Sequence, residues 1–299
     1  MIEQTPHSSE GLPASEDNDV YLLGGSDLEM YQIRKRLERR GKEYIDKRLQ
    51  WGATVADYEK EIAELLDEGK TPVAVELAGA EEVPGVVDID HHGDKFHHPA
   101  SITRVMERSG DHMRLMDKLI AANDSAYIPG LEKELEDMRG ELEARYGEEG
   151  YQKKKRMLID LIRRSDRKMQ GVTEEQELAA PEQIAQKEVT ESGTVVVRTP
   201  YDTFSPIADR LYDSWPEGRQ NLVVVCGFDT DEQVVYYFGR GDVCRMLEDE
   251  FSGFGGGVGY GDPEGLGFGG CSTSDPESVI ARITEKYLEV KDENYEENN

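Results

Sequence analysis

Residues 86–93, which read VVDIDHHG, constrain the fold of this chain more than any other stretch. A run of apolar, β-branched residues passes abruptly into acids, histidines and a glycine, which predicts a β-strand whose carboxyl end opens onto a polar site. Four of the six histidines fall between His91 and His98. Because imidazole and carboxylate groups together suit Mn²⁺, Zn²⁺ or Fe²⁺, the pattern favours a metal site over a polar turn with unrelated histidines.

The N-terminal half of the chain alternates between apolar runs and helical spacing. Short strands are predicted at 20–23, 44–46, 72–77 and 86–89, and helices at 28–40 and 57–67. Ser26 and Asp27 are expected to cap the first helix, and Gly41 is expected to end it. This alternation predicts an α/β domain with a mostly parallel sheet.

Glu76 interrupts the otherwise apolar run at 72–77. Its carboxylate is expected either at the end of the strand, facing a site, or on a side that faces solvent. We favour the first interpretation because the run is otherwise continuous, as in a parallel strand that is covered on both faces.

The middle of the chain, from Ile102 to about residue 190, shows helical spacing. Asp124 lies at the polar end of the helix predicted at 114–122, where an acid at a helix terminus or turn is also an ordinary feature. The run KKKR at 153–156, with Arg163 and Arg164, is the clear positive cluster of an acidic chain. Such a run is usually a solvated helix face, and the alternative is a local strip that binds a short nucleotide chain.

A second strand-rich region is predicted from residue 193. Strands are expected at 193–198, 221–226 and 233–238, and helices at 206–212, 242–250 and 276–287. Ten glycines lie between Gly253 and Gly270. Their density lets backbone N–H groups approach a ligand, as in phosphate-binding loops, although the stretch matches no P-loop or dinucleotide fingerprint. A flexible linker or lid is the alternative.

These patterns predict a parallel-sheet N-terminal α/β domain, a helical connector and a smaller C-terminal α/β domain, with the site in the cleft between the domains. The expected bounds are a disordered lead at 1–19, the first domain at 20–170, the connector at 171–192, the second domain at 193–290 and an acidic tail at 291–299.

The acidity of the chain bears on its partners. A formal net charge of −28 argues against long duplex nucleic acid, because phosphate backbones are bound by Lys and Arg. The same acidity fits adaptation to a salty cytoplasm, and both explanations stay open. Three widely spaced cysteines form neither a disulfide framework nor a zinc pattern, so a reducing cytoplasm is expected. Neither a signal peptide nor an apolar run of about 18 residues that would span a membrane is found.

The motifs resemble those of the DHH phosphoesterase superfamily, which is named for the triplet found here at 90–92. In that family a first strand ends in His-x-x-x-Asp-x-Asp, a later strand is followed by an acid, and a further Asp comes after the triplet. The positions that match here are Asp27 with Glu29, Glu76 and Asp124.

The C-terminal region resembles the DHH-associated domain, in which a glycine-rich loop with a histidine holds the nucleotide or phosphate of the substrate. The resemblance implies that the substrate-binding residues are Arg240, Gly255, Gly256 and Gly257.

Four positions depart from the family pattern. Leu23 stands where the family places a metal-binding His, and Glu29 and Glu76 replace Asp, which moves the carboxylate oxygens by one methylene. Val258 follows the glycines where the family commonly has a histidine. One metal position is therefore expected to be lost or loosened.

The resemblance implies a site with two ions, Mn²⁺ first and Mg²⁺ or Fe²⁺ as alternatives. Two ions about 3.5–4 Å apart clamp a phosphoryl group and lower the pKa of a water. His92 is expected to contact the phosphate or protonate the leaving oxygen, and Asp90 to orient the histidines. The expected metal ligands are Asp27, Glu29, Glu76, His91 and Asp124.

The leading functional hypothesis is a cytoplasmic, metal-dependent phosphoesterase acting on small nucleotides or short single-stranded oligonucleotides. One alternative is a catalytically weakened module that binds or senses a nucleotide. Another is a single-strand exonuclease guided by the basic strip at 153–164, which would show strong salt dependence. Whether the chain forms a homodimer stays open.

Overall fold

The structure is a computed structural model that describes residues 18–50, 52–212, 220–228, 230–257 and 259–296. The chain forms two compact units. Of the described residues, the first unit comprises those up to residue 90 and 101–117, and the second comprises 91–100 and those from residue 118 onwards. Most of the predicted lead, up to residue 17, lies outside the described residues. The predicted domain bounds stay a prediction.

The first unit is built on a four-stranded, wholly parallel sheet in the order β2-β1-β3-β4. This confirms the predicted parallel α/β architecture. The strands are β1 (Asp19–Leu23), β2 (Glu43–Asp46), β3 (Thr71–Val75) and β4 (Val87–Ile89), and the helices are α1 (Leu28–Arg40), α2 (Glu59–Asp67) and α3 (Ser101–Arg108).

Local sequence explains the bounds of α1. The Asp27 side chain accepts a hydrogen bond from the Met30 N–H at 2.8 Å, which satisfies one of the free N–H groups of the first turn. Gly41 ends the helix in the left-handed conformation at φ +65°. Between these caps, Met30, Ile33 and Leu37 are buried at helical spacing, so the predicted start, end and inner face are confirmed.

The second unit contains a mixed, six-stranded sheet in the order β5-β6-β7-β8-β10-β9. Among the described strands of this sheet, β6 and β7 are parallel neighbours and the other pairs are antiparallel. Its strands are β5 (Glu188–Val189), β6 (Val195–Arg198), β7 (Leu222–Cys226), β8 (Gln233–Arg240), β9 (Phe254–Gly256) and β10 (Leu266–Thr273). Its helices are α4 (Leu115–Asp137), whose first three residues belong to the first unit, α5 (Arg139–Met169), α6 (Glu174–Ala185), α7 (Ser205–Leu211), α8 (Gly241–Phe251) and α9 (Pro276–Glu296).

The glycine-rich stretch is partly sheet, which corrects the expectation of a loop, linker or lid throughout. Residues 254–256 and 266–273 form β9 and β10, which pair with each other and, through β10, with β8. The glycines permit close packing: a Cβ at Gly255 would lie 2.2 Å from the Tyr260 ring. The glycine pattern thus indicated flexibility, whereas the tertiary contacts require the small size of these residues.

The long helices also differ from their predicted bounds. The helix predicted at 114–122 is longer than expected, because α4 continues to Asp137 past the non-helical residues Ala126 and Tyr127. The next helix, α5, has a non-helical residue at Gly147 (φ +73°). α9 continues to Glu296 and so includes part of the predicted acidic tail. Within the described part of the chain, no helix is both long and apolar enough to cross a membrane.

Candidate metal centre

Three strands of the first sheet end together at one edge. Leu23 of β1 pairs in register with Val75 of β3, which in turn pairs with Ile89 of β4. Because all three strands are parallel, the segments that begin at Gly24, Glu76 and Asp90 leave the sheet at the same carboxyl edge. This is the edge at which the sequence predicted a polar site.

The backbone at this edge is tightly packed. The Gly24 N–H donates to the Val75 carbonyl oxygen at 2.9 Å, and the Glu76 N–H donates to the Ile89 carbonyl oxygen at 2.9 Å. A Cβ on Gly24 would lie 2.3 Å from the Glu76 carbonyl oxygen, so only glycine fits there. Glu76 itself adopts φ +55°, a conformation that costs free energy for a residue with a side chain and is enriched at functional sites.

The two acids of the first motif lie in the first turn of α1 or just before it. Asp27 caps the helix, as described above. Glu29 is 1% exposed, and its Oε1 accepts a hydrogen bond at 3.1 Å from the N–H of Ile102, in the first turn of α3. One oxygen of Glu29 therefore stabilises a helix start. The assignment of Asp27 and Glu29 as metal ligands stays a prediction.

Asp90 is held through its backbone. Arg104 on α3 donates to the carbonyl oxygens of Asp90 at 3.0 Å and Asp88 at 3.1 Å. Burial lowers the pKa of Arg104 from its ordinary value, while the nearby carboxylates of Asp88 and Asp90 act in the opposite direction. The Arg104 guanidinium thus fixes the segment from which the two histidines follow.

In the second unit, His91, His92 and Asp124 converge, and we call these three residues the histidine cluster. Each offers one ligand atom, a ring nitrogen or a carboxylate oxygen, within 4.8 Å of the others. His91 Nε2 lies 2.6 Å from Asp124 Oδ2, and the ring centroids of His91 and His92 are 4.4 Å apart. The structure therefore brings together three of the residues that the sequence singled out.

The donor set of the histidine cluster fits a divalent ion. Two imidazoles and a carboxylate are the ligands that Mn²⁺, Zn²⁺ and Fe²⁺ accept. His91 Nε2 and Asp124 Oδ2, 2.6 Å apart, lie close enough together to bind one shared cation. The His91 side chain is 5% exposed and that of Asp124 is 15% exposed, which gives the pair little contact with water.

The helix that carries Asp124 is bent immediately after it. Ala126 (φ −152°) and Tyr127 (φ +56°) are non-helical, and Pro129 follows inside α4. Proline lacks a backbone N–H, and its ring clashes with the carbonyl of the residue four positions earlier, here Ser125, which explains a break in this region. Pro129 is the sequence signal for this kink, which the helical spacing of apolar residues alone does not show.

The predicted substrate-binding residues lie elsewhere in the second unit. The Arg240 guanidinium pairs with the Asp242 carboxylate, and its Nη1 donates to the Tyr287 carbonyl oxygen at 3.1 Å. Gly255 and Gly256 lie in β9, and Gly257 follows it at φ +97°. Val258 lies outside the described residues. A role in substrate binding stays a prediction for all four matched positions.

A group of ionic residues that the sequence did not connect lies near Asp124. Arg163 Nη1 donates to Asn123 Oδ1 at 2.8 Å, and its Nε donates to Asp209 Oδ1 at 3.0 Å. Asp209 also pairs with Arg167 and accepts a hydrogen bond from the Tyr127 hydroxyl. The sequence drew attention to Arg163 as part of a basic strip, but nothing local connects it with Asp209, 46 residues later.

No model of a protein family and no curated protein matches this chain. The chain is similar to the solved structure of PggH, a pGpG-specific phosphodiesterase from Vibrio cholerae, with 15% identity and a TM-score of 0.37 over 91% of this chain and 99% of PggH. It is also similar to RecJ from Thermus thermophilus in complex with Mn²⁺, with 14% identity and a TM-score of 0.44 over 91% of this chain and 52% of RecJ.

Proposed function

We propose that this chain is a metal-dependent phosphoesterase that hydrolyses phosphodiester or phosphomonoester bonds of short oligonucleotides or small nucleotides. The observation that carries the proposal is the convergence of His91, His92 and Asp124 on one point. Two adjacent histidines meet an aspartate that lies more than 30 residues later, at buried or partly buried positions. This arrangement favours a metal-dependent reaction over a purely structural role.

The metal ligands that we propose are the five that the sequence indicates: Asp27, Glu29, Glu76, His91 and Asp124. Glu76 follows the strand beside β4, and β4 leads directly into the segment that carries His91. Bound divalent ions would supply positive charge that polarises a phosphoryl oxygen and lowers the pKa of a water.

The other residues of the triplet act on the substrate and on the ligands. His92 contacts a phosphate oxygen or gives a proton to the leaving oxygen, a role suited to imidazole near neutral pH. Asp90 positions the histidines through the backbone segment that Arg104 holds. Arg240 and the glycines at 255–257 are proposed to bind the nucleotide or phosphate of the substrate.

The deciding experiment measures hydrolysis of bis-p-nitrophenyl phosphate, short RNA, short DNA and cyclic dinucleotides in Mn²⁺, Mg²⁺ or EDTA. We expect activity that EDTA removes and Mn²⁺ restores, and that His91→Ala abolishes together with metal content. His97→Ala is the matched control, because His97 is a histidine of the same segment that lies outside the cluster. Full activity and metal content in His91→Ala would contradict the proposal.

A second candidate function is a nucleotide-binding module with weakened or absent turnover. Leu23, at the position where the resemblance expects a metal-binding His, is 0% exposed within β1 and offers no ligand atom. Glu29 uses one oxygen to stabilise the start of α3. Binding of a nucleotide by a purified, Mn²⁺-loaded protein that hydrolyses none of the panel would favour this candidate.

A further inference from the structure

The second unit contains a cavity of about 1030 Å³ that is separate from the residues of the histidine cluster. It is lined by parts of α4, α5, α6 and α7 and by Tyr212. We call it the basic cavity, because six of its lining side chains are cationic: Lys155, Arg156, Arg163, Arg164, Arg167 and Arg210. This concentration is unusual in a chain whose formal net charge is −28.

The four carboxylates that line the basic cavity already have partners. Asp160 pairs with Arg164 at 2.8 Å, and Glu177 pairs with Arg167 at 2.6 Å and with Arg210 at 2.7 Å. The other two carboxylates are equally engaged: Asp209 pairs with Arg163 and Arg167, and Glu132 accepts a hydrogen bond from Tyr212.

Among the described residues that line the cavity, the cations outnumber these carboxylates by two. Among the described residues, neither Lys155 nor Arg156 forms an ion pair within 4 Å. Both lie on α5, where Lys155 is partly buried and Arg156 is exposed. The positive charge that remains in the cavity is therefore carried by side chains that a ligand can reach.

The innermost cation of the cavity has an unused donor. The Arg163 side chain is 4% exposed, and within the described residues its Nη2 has no hydrogen-bond acceptor. Its guanidinium lies 3.9 Å from the centroid of the Tyr127 ring. Burial acts to lower the pKa of Arg163, but the carboxylates of Asp209 and Asp166 raise it by more than burial lowers it. The pKa is therefore raised overall, and the guanidinium stays charged.

We propose that the basic cavity binds a small anion that carries two or more phosphate groups. Guanidinium groups match phosphate oxygens in geometry and charge, and several of them in one concave site attract a multivalent anion far more than a monovalent one. The volume is that of a typical ligand site. The surrounding acidity of the chain repels anions elsewhere, which confines binding to this cavity.

The test measures binding of inorganic tripolyphosphate to the full chain by isothermal titration calorimetry in EDTA, at two salt concentrations. We expect saturable binding to one site that weakens with salt, and at least a tenfold loss of affinity in the double variant Lys155→Ala/Arg156→Ala. The matched control is Lys153→Ala/Lys154→Ala, which removes the same charge from the same helix outside the cavity and is expected to change the affinity less than about twofold.

Two sources share this chemistry, the distal phosphates of a substrate and a free polyphosphate effector. If the substrate is the source, hydrolysis of a 5′-phosphorylated dinucleotide shows a raised KM and an unchanged kcat in Lys155→Ala/Arg156→Ala. If an effector is the source, KM is unchanged and tripolyphosphate alters the rate without competing.

Because binding is measured in EDTA without turnover, this proposal and the proposed phosphoesterase activity can fail separately. Absence of tripolyphosphate binding to the unaltered chain would overturn the proposal. Equal losses in the two double variants would overturn it as well, since they would indicate attraction to the helix as a whole.

Discussion

Both the histidine cluster and the basic cavity include residues of α4, but the cluster suits a cation and the cavity suits an anion. Asp124 precedes the kink at 126–127, whereas Ile128 and Glu132, which line the cavity, follow it. In the cavity every carboxylate is matched by an arginine or a tyrosine hydroxyl. In the cluster the carboxylate of Asp124 meets an imidazole, which carries no permanent charge. The neighbours of a carboxylate thus decide whether it stabilises the fold or remains available to a cation.

The largest expected effect is on stability and concerns the basic cavity. Asp209→Asn would leave the buried guanidinium groups of Arg163 and Arg167 without their shared counter-ion, which we expect to cost about 3 kcal/mol of unfolding free energy. Urea unfolding monitored by circular dichroism measures this loss. Asp231→Asn, the same change at an exposed position, should leave the midpoint unchanged. Equal midpoints for both variants would show that Asp209 does not hold the cavity together.

Asp124→Asn tests whether the carboxylate of the histidine cluster binds a metal. Loss of a charged ligand should weaken Mn²⁺ binding by about 100-fold or more, while the stability of the metal-free chain falls little, because no arginine of the described residues pairs with Asp124. Calorimetric titration with Mn²⁺ and a melting curve in EDTA measure the two quantities. Asp137→Asn, at the end of the same helix and 65% exposed, is the control. A large loss of stability in EDTA with unaltered Mn²⁺ binding would reverse the assignment.

Tyr127 lies between the two regions, and removal of its hydroxyl should have a moderate effect. Burial raises the pKa of this phenol well above its ordinary value, so the hydroxyl stays protonated and donates to Asp209. Tyr127→Phe removes that donor and is expected to cost about 1 kcal/mol of unfolding free energy. Chemical denaturation provides the measurement, with Tyr146→Phe, at an exposed tyrosine, as the comparison. No difference between the variants would mean that the hydroxyl contributes nothing to the network.

The smallest effect is a dependence on pH. Burial acts to raise the pKa of Glu177, but hydrogen bonds from Arg167 and Arg210 lower it below 4.5. The stability contributed by this carboxylate is therefore fully present above pH 4.5 and is lost as the pH falls through its folded-state pKa. Melting temperatures of the chain and of Glu177→Gln should differ at about pH 7 and converge towards about pH 3. A difference that stays constant over this range would contradict the predicted titration.

Much of the first unit followed from local sequence, because each of its signals acts within a few residues. The caps at Asp27 and Gly41, the buried face of α1 and the apolar strands β1, β3 and β4 all lie where their residue types place them. The prediction that strand ends deliver polar residues to one edge was confirmed for the backbone. It holds because parallel strands share a direction.

The histidine cluster was foreseen only in part. The sequence marked His91, His92 and Asp124, but the chain between them includes α3 and the start of α4, and no local rule fixes where Asp124 comes to lie. Gly255 and Gly256 suggested conformational freedom in the sequence. In the structure their small size instead allows close packing against aromatic rings. Residue type limited the conformations and roles open to these residues, and contacts with packed neighbours determined which of them occur.

By itself, the sequence determined the alternation of strands and helices, the polar edge of the first sheet and the residue types able to bind a metal, because periodicity and capping depend on neighbouring positions. Only the tertiary structure decided that Glu29 stabilises the start of α3, that β9 and β10 are strands, and that Asp209 joins Arg163 and Arg167. Those outcomes depend on contacts between residues tens of positions apart. Such contacts form only when several elements pack together and exclude water, which strengthens ionic interactions and makes the fit of each side chain matter.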